Sequence, residues 1–164
     1  EGLEDYLRKD TKFSNTQSVE IVQTYLKKQQ MEKEIAARKH GHEYMVANRH
    51  TQGVVETQSG LQYRILQEGN GAKPGAESLV KTHYTGKLLT GKVFDSSLER
   101  GYPSEFKVNQ VIKGWTEALQ MMPVGSKWEL VIPSDLAYGP TGQGGIPPHS
   151  VLIFEVELLE IVEE

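Results

Sequence analysis

Three histidines, His40, His42 and His50, are close in the sequence and could supply nitrogen ligands to a metal ion. On a helix, His42 and His50 would be about two turns apart. No carboxylate or cysteine near them completes a site with the spacing of metal ligands. The pattern therefore favours a solvated helix face, and we predict neither a metal nor a cofactor.

The chain contains no cysteine, which excludes disulfides, thiolate nucleophiles and cysteine metal sites. This absence is compatible with either redox compartment. The glycine-rich stretch at residues 139–148 does not match a dinucleotide fingerprint, because no strand-to-helix context follows it. We predict a loop there.

The aromatic residues Phe94, Trp115 and Phe154 would, on their spacing alone, be core residues of a small domain. Asp95 begins an Asp-Ser-Ser sequence, which by itself predicts a turn with Asx-type backbone hydrogen bonds. Neither observation alone identifies a functional site.

The composition suits a soluble globular protein with a polar attachment, since 37% of the 164 residues are apolar and 24% are charged. The net charge of −4 includes no domain-wide basic excess, which argues against a nucleic-acid binder held by phosphate contacts. We predict no membrane span, because even the apolar stretch at residues 151–162 contains three glutamates. No signal peptide is visible at the start, as would also hold for a processed exported protein.

Residues 18–48 predict one long helix, since they are rich in Gln, Lys, Glu and Ala and contain no proline. Thr16 or Ser18 could cap its start, and Gly41 inside it should cost about 1 kcal/mol relative to alanine. The helix carries only a sparse apolar stripe, formed by Val22, Leu26, Met31, Ile35 and Met45. We expect a solvated strut, or a helix that packs on a partner through this narrow stripe, and not a buried core helix. Upstream, residues 3–7 predict a short helix.

After Gly60 the pattern changes to short strands separated by glycine and proline turns. The predicted extended segments are residues 61–66, 80–89, 93–94, 106–108, 128–132 and 151–162. One helix is predicted among them, at residues 112–122, and it ends at Pro123. This order favours an α+β architecture in which an antiparallel sheet packs on one helix.

Five segments downstream of residue 79 form a recognisable series. They are VKTHYTG at 80–86, GKVFDSS at 91–97, QVIKGW at 110–115, AYG at 137–139 followed by IPPH at 146–149, and LIFEVELL at 152–159. No single segment is specific, but all of them in this order resemble the FKBP-type peptidyl-prolyl cis–trans isomerases.

This resemblance implies the FKBP fold, a twisted antiparallel β-sheet wrapped around one short α-helix with a pocket between them, here preceded by a long N-terminal α-helix. It implies an isomerase domain at residues 59–164 and an N-terminal helical region at residues 1–58. The implied activity is rotation about X-Pro peptide bonds, which assists protein folding. The implied partners are proline-containing unfolded or partly folded polypeptides.

Matched positions extend the resemblance to single residues. The predicted catalytic residues are Asp95, Tyr138, Ile112 and Phe154, and the predicted substrate-binding residues are Tyr84, Phe94, Val111, Ile112, Trp115 and Ile146. Trp115 would be the platform beneath the proline ring. The Ile112 N–H and the Tyr138 hydroxyl would each donate a hydrogen bond to a substrate carbonyl, with Asp95 at the pocket edge.

The rim of the pocket departs from the family's archetype. Ser104 aligns with an aromatic residue and Gln143 with a histidine, while Arg100 matches the basic residue beside the acid. The chain is also one residue shorter before Ile146. We therefore expect these departures to affect ligand preference, including affinity for rapamycin-type macrolide inhibitors, more than activity.

The polar helix ahead of the domain, ending in Gly-Val-Val at residues 53–55, resembles the bacterial macrophage-infectivity-potentiator (Mip) type. In that group the N-terminal helices dimerise and the long helix holds two catalytic domains apart. The resemblance implies a homodimer through the N-terminal helices. It also implies a periplasmic or cell-envelope location, with the cytoplasm as the alternative.

Three functions remain open from the sequence. The first is an active prolyl isomerase, the second a chaperone whose pocket and helical arms hold unfolded chains, and the third a scaffold that no longer catalyses. The intact Tyr84, Asp95, Trp115 and Tyr138 favour the first function over the third. The chaperone activity would be an addition to the first.

Overall fold

A computed structural model describes residues 15–162 of the chain. The chain divides into two compact units between Ala36 and Ala37. The short helix predicted at residues 3–7 lies outside the described residues. Among residues 15–162, no helix has the length and apolar character that a membrane crossing requires.

The long helix α1 spans Asn15–Asn48. Thr16 and Ser18 lie inside the helix, so the prediction that one of them caps its start is wrong. Short polar side chains are tolerated in a first helical turn as well as at the cap, which makes the boundary hard to place from sequence. In the first compact unit, α1 exposes Leu26, Met31 and Ile35, as expected for a solvated strut.

The last turns of α1, which belong to the second compact unit, are partly buried. Gly41 and Met45 are buried, and Met45 packs with Val131, Val151 and Ile153. A Cβ atom at Gly41 would lie 2.9 Å from a methyl carbon of Val151, so the absence of a side chain permits this close approach. The expectation that so polar a helix stays out of a core is therefore wrong for this end.

The second unit is built around a seven-stranded antiparallel sheet. The strands are β1 (Val54–Glu56), β2 (Gln62–Gln67), β3 (Leu79–Leu88), β4 (Val93–Ser96), β5 (Ser104–Lys107), β6 (Lys127–Ile132) and β7 (Leu152–Val162). The order across the sheet is β1-β2-β6-β7-β3-β4, and β5 also pairs with β3. Antiparallel pairing lets one face of each strand meet the core while the other meets water.

The central strands β3 and β7 show why the sheet has one buried face. Along β3, Val80, Thr82 and Tyr84 are buried while the residues between them are only partly buried. The two strands pair over ten positions, with Tyr84 opposite Val156 and Gly86 opposite Phe154. This alternation has the period of two that a half-buried strand requires.

The helix α3 (Lys113–Met121) covers the buried face of the sheet. It buries Gly114, Trp115, Ala118 and Leu119. A Cβ at Gly114 would lie 2.6 Å from a methyl carbon of Ile132, so the helix can rest closely on β6 only with glycine at this position. An antiparallel sheet packed on one short helix confirms the predicted fold class. The structure adds the single-turn helix α2 (Ser97–Arg100) and the short strand β1, which were not predicted.

Candidate active site

A cavity of about 470 Å³ opens between α3, the sheet and the loop that follows β6. Its walls are mainly aromatic and aliphatic. The lining residues are Tyr84, Phe94, Asp95, Phe106, Gln110, Val111, Ile112, Trp115, Tyr138, Gln143 and Phe154. An apolar pocket with a few convergent polar groups is the usual form of a small-ligand site.

The floor of the cavity is a cluster of rings centred on Trp115, whose side chain is buried. The Trp115 ring meets Tyr84, Phe154 and Phe106 edge-to-face, at centroid distances of 5.1, 5.3 and 5.5 Å. Edge-to-face pairs place the positive edge of one ring against the negative face of another. The floor is therefore held by its own packing, before any ligand is bound.

The absence of a side chain at Gly86 lets Phe94 and Phe154 meet in the wall of the cavity. The two rings pack edge-to-face with their centroids 5.5 Å apart. A Cβ at Gly86 would lie 2.5 Å from Phe154 and 2.6 Å from Phe94. The sequence VKTHYTG ends in this glycine, and packing explains its presence better than backbone freedom does.

The polar edge of the cavity is a network around Asp95. The Tyr84 hydroxyl donates a hydrogen bond of 2.6 Å to one carboxylate oxygen of Asp95. Arg100 donates to the other oxygen, and it also donates to the Tyr84 hydroxyl at 2.9 Å and to the Ser104 hydroxyl at 3.0 Å. Asp95 is thereby fixed in position and charge at the mouth of a mainly aromatic and aliphatic cavity.

The pKa values around this network follow from burial and from its charges. Burial raises the pKa of Asp95, but hydrogen bonds from Tyr84 and Arg100, with the charge of Arg100, outweigh burial and hold that pKa below its ordinary value. Burial, and then the hydrogen bond to Asp95, raise the pKa of Tyr84. Burial, and then the charge of Asp95, raise the pKa of Tyr138. At neutral pH the site therefore presents one carboxylate and two neutral phenols.

The single-turn helix α2 positions Arg100 beside Asp95. The Ser96 hydroxyl caps this helix by accepting from the Glu99 N–H, and Gly101 ends it in the left-handed conformation. The buried Ser97 hydroxyl accepts from the Tyr84 N–H at 2.8 Å, which ties α2 to β3. The prediction of an Asx-type turn at Asp-Ser-Ser is wrong, because Asp95 and Ser96 end β4 and Ser97 begins α2. The Asp95 carboxylate accepts from the side chains of Tyr84 and Arg100.

A larger surface cleft of about 800 Å³ lies beside the aromatic cavity and shares Gln110 with it. Residues 75–79 and 161–162 form much of its wall, and none of its lining side chains from residues 15–162 is aromatic. Among residues 15–162, no cluster of three or more His, Asp or Glu side chains could hold a metal ion. The aromatic cavity is therefore the best candidate for the functional site.

Comparison with known proteins agrees with this geometry. A profile of the FKBP-type peptidyl-prolyl cis–trans isomerases matches residues 70–159, and a profile of the domain amino-terminal to such isomerases matches residues 1–65. The chain belongs to the FKBP-type peptidyl-prolyl cis–trans isomerase family.

This FKBP-family chain is similar to named relatives over most of its length. It is 47% identical to the FKBP-type isomerase FkpA of Aeromonas hydrophila, over 98% of this chain and 62% of the relative. It is 51% identical to the outer membrane protein MIP of Legionella longbeachae, over 74% of this chain and 52% of the relative. The chain therefore spans between half and two thirds of the length of these relatives.

A solved structure supports the fold over nearly the whole chain. The crystal structure of FkpA from Escherichia coli superposes with a TM-score of 0.81 at 35% identity, covering 98% of this chain and 78% of that one. Together with the Mip relative, this likeness confirms the resemblance to the Mip type within the FKBP family.

Eight of the nine predicted site residues line the FKBP cavity, and Ile146 is the exception. Ile146 is buried in the hydrophobic core, and it is joined to Gln143 by backbone hydrogen bonds of 2.8 and 3.0 Å in both directions. This tight bridge in the shortened loop places Gln143 at the cavity wall and Ile146 behind it.

Two lining residues of the FKBP cavity, Phe106 and Gln110, were missed from the sequence. Phe106 lies opposite Val80 in the pairing of β5 with β3, and it contacts both Tyr84 and Trp115 through its ring. Its apolar character between two charged neighbours is the signal that could have identified it. Gln110 offered no such signal, because a polar residue before a helix is common.

Proposed function

We propose that this chain is an active peptidyl-prolyl cis–trans isomerase, which binds X-Pro segments of polypeptides and accelerates rotation about the bond before proline. The observation that supports this proposal most is the aromatic cavity with Trp115 as its floor and Asp95 at its polar edge. A proline ring is a compact apolar group, and a floor of edge-to-face rings suits it.

The chemistry needs no covalent step. Rotation about a peptide bond faces a barrier of about 18–20 kcal/mol because resonance makes the C–N bond partly double. At proline the two isomers differ by only about 0.5–1 kcal/mol, yet they exchange over roughly tens to hundreds of seconds. An enzyme that binds the twisted amide more tightly than the planar one lowers this barrier. Lowering it by about 5–7 kcal/mol accelerates exchange roughly 10⁴- to 10⁵-fold.

The apolar walls favour the twisted amide. Twisting removes resonance, so the carbonyl oxygen loses negative charge and its hydration weakens. A cavity that excludes water therefore disfavours the planar amide more than the twisted one. Tyr84, Phe94, Phe154, Val111 and Ile112 supply these walls.

The polar groups orient the substrate in this proposal. Ile112 is the N-cap of α3, and we assign its N–H as the donor to one substrate carbonyl and the Tyr138 hydroxyl as the donor to another. Asp95, held by Tyr84 and Arg100, faces the rotating carbonyl. The raised pKa of Tyr138 keeps its hydroxyl a donor at neutral pH.

The helical region complements catalysis by joining two chains, with the long helix holding their catalytic domains apart. We propose that residues 1–58 form a dimerisation and chaperone region and residues 59–164 the isomerase domain. The exposed Leu26, Met31 and Ile35 of α1 support this assignment, because large apolar side chains left exposed on a solvated helix suit a partner helix or an unfolded client.

Inhibition and location belong to the same proposal. A macrolide of the rapamycin type would compete with clients for the aromatic cavity, and the polar Ser104 and Gln143 at its rim set the affinity. We place the protein in the periplasm or cell envelope, with the cytoplasm as the alternative. Fractionation of cells that produce the full-length protein tests the location, and catalysed isomerisation of a Leu-Pro peptide tests the activity.

A further inference from the structure

The side chain of Arg38 in α1 contacts the imidazole of His149. The Arg38 Nε lies 3.3 Å from both ring nitrogens, and Nη2 lies 3.2 Å from Nε2 of the ring. The His149 side chain is buried. Both residues belong to the compact unit that begins at Ala37. The guanidinium therefore lies against a ring that is buried within this unit.

The backbone at His149 is unusual. Its φ of 58° is the only positive φ of a non-glycine residue within residues 15–162. The His149 N–H donates to the Gly139 carbonyl at 2.9 Å, and the Gly139 N–H donates to the Ser134 carbonyl at the same distance. A residue other than glycine holds such a conformation only where its surroundings fix it. His149 thus closes the base of the loop at residues 139–148.

This loop forms one wall of the aromatic cavity. Tyr138, directly before the loop, and Gln143 within it both line the cavity. Gln143 is fixed to Ile146 by two backbone hydrogen bonds. A change at the base of this loop reaches Tyr138 most directly, because the His149 N–H is hydrogen-bonded to Gly139, the residue that follows Tyr138.

The surface of α1 is shaped to reach this loop base. One helical turn after Arg38, a Cβ at Gly41 would lie 2.9 Å from Val151 and 4.0 Å from the His149 carbonyl oxygen. The helix comes this close to Val151 because Gly41 has no side chain, and at the same point it reaches ordinary contact distance of the His149 carbonyl oxygen. The Arg38 contact and the Gly41 approach are independent observations of the same docking.

We propose that Arg38 is a positioning residue for the isomerase cavity, which acts through His149 to hold the loop at residues 139–148, and with it Tyr138, in the binding conformation. This inference rests on the proposed function. The long helix is then more than a spacer, because its last turns take part in shaping the substrate site. No catalytic contact is assigned to Arg38 itself.

The role predicts a particular kinetic pattern. If the loop is held less often in the binding conformation, the apparent affinity for substrate falls by the fraction that remains competent. Once substrate has reordered the loop, catalysis proceeds as before. A purely structural role would instead lower the amount of folded enzyme, which reduces the apparent kcat and leaves KM unchanged.

The experiment compares Arg38→Ala with Lys39→Ala in the full chain. Lys39 is a matched control because its side chain is exposed and lies 3.9 Å from the Glu43 carboxylate in a solvated i,i+4 pair. For a Leu-Pro peptide, we expect Arg38→Ala to raise KM by about threefold to tenfold with kcat unchanged, and Lys39→Ala to change neither. Native-state hydrogen exchange should be faster at the amides of His149 and Gly139 in Arg38→Ala alone.

A second variant keeps the test decisive if Arg38→Ala folds poorly. His149→Asn removes the ring but tolerates a positive φ, and it should raise KM in the same way. Because both changes remove one contact, their effects on KM should not add in the double variant.

The outcomes separate this inference from the proposed function. Unchanged KM and exchange in Arg38→Ala, a fall in kcat alone, or additive effects in the double variant would overturn the role of Arg38. If the parent chain fails to accelerate isomerisation, the proposed function fails. Hydrogen exchange at the His149 amide then tests by itself whether Arg38 holds the loop. Faster exchange in Arg38→Ala supports this role, and unchanged exchange overturns it.

Discussion

The Tyr84 hydroxyl and the Asp95 carboxylate are joined by a hydrogen bond of 2.6 Å between β3 and β4. Arg100 donates to both partners, so a phenol, a carboxylate and a guanidinium form one closed group. This group is the polar edge of a cavity whose floor and walls are mainly aromatic or aliphatic. The pKa of Asp95 reports how strongly these hydrogen bonds stabilise its carboxylate.

Replacing Tyr84 with Phe should raise the pKa of Asp95. The substitution keeps the ring that packs on Trp115 but removes the donor that lowers this pKa. We also expect a loss of about 1 kcal/mol in the free energy of unfolding. An NMR titration of the Asp95 carboxyl carbon measures the shift, with Tyr63→Phe as a control outside the cavity. An unchanged Asp95 midpoint would mean that the hydrogen bond contributes little.

The depressed pKa of Asp95 predicts how stability depends on acid. Because its folded pKa lies below the unfolded value of about 3.9, the ionised Asp95 contributes stability above that value. This contribution is lost as the pH falls through the folded pKa. The free energy of unfolding in urea should therefore fall less between neutral pH and this acid range for Asp95→Asn than for the parent. Equal losses in the two proteins would contradict the prediction.

Alkaline titration tests the opposite shift at Tyr138. Burial and the Asp95 charge raise its pKa, so the neutral phenol contributes stability that is present below pH 10 and lost as the pH rises through the folded pKa. Tyr84 and Tyr44 also have raised pKa values, so the late component of Tyr138 is measured as the difference in phenolate absorbance with and without the Tyr138→Phe substitution. In Asp95→Asn this component should move to lower pH, because one of its two causes has been removed. If the midpoint of this component does not change, the Asp95 charge does not affect Tyr138.

Replacing Gly86 with Ala should destabilise the protein by about 1–3 kcal/mol, which is typical of overpacking. The new methyl group would meet Phe154 at 2.5 Å and Phe94 at 2.6 Å. Gly75→Ala is the matched control, since the nearest atom to its new methyl group would be Ser78 Oγ at 3.8 Å. Thermal unfolding of both variants measures the difference, and equal stability would show that the two rings can move apart freely.

The proposed homodimer predicts a mass of twice the 18.4 kDa chain in analytical ultracentrifugation at tens of micromolar protein. Replacing Leu26 and Met31 with Gln should lower the dimer fraction, because both large apolar side chains are exposed on α1. Lys27→Ala, on the same helix, should leave the dimer unchanged. A parent chain that sediments as a monomer would rule out the dimer.

The strands and the central helix were predictable because their apolar residues follow simple periods. Phe154, Val156 and Leu158 alternate along β7 with exposed or partly exposed residues, and Trp115 lies on the buried face of α3. Most of the cavity residues were predictable from the same segments, because the motifs of a family occupy the same places in its fold.

The remaining features depend on contacts between segments that are distant in the sequence. Ile146 turns inward because a backbone bridge to Gln143 sets the path of its loop. Gly41 and Met45 are buried although their helix is polar, because the domain offers Val151 at the right place. Local sequence patterns do not predict these contacts, since each contacting residue, taken alone, has the character of an ordinary loop or helix residue.

The central claim is that the cavity above Trp115 catalyses proline isomerisation. The most direct test is catalysed cis–trans exchange of a Leu-Pro peptide by the parent, Trp115→Phe and Trp128→Phe, with and without a rapamycin-type macrolide. Trp128 is a matched control, because its buried ring stacks on Tyr63 and does not line the cavity. We expect the parent and Trp128→Phe to accelerate exchange and the macrolide to suppress it, with kcat/KM reduced about fivefold to tenfold in Trp115→Phe. No acceleration by the folded parent chain, or an equal loss in both tryptophan variants, would contradict the claim.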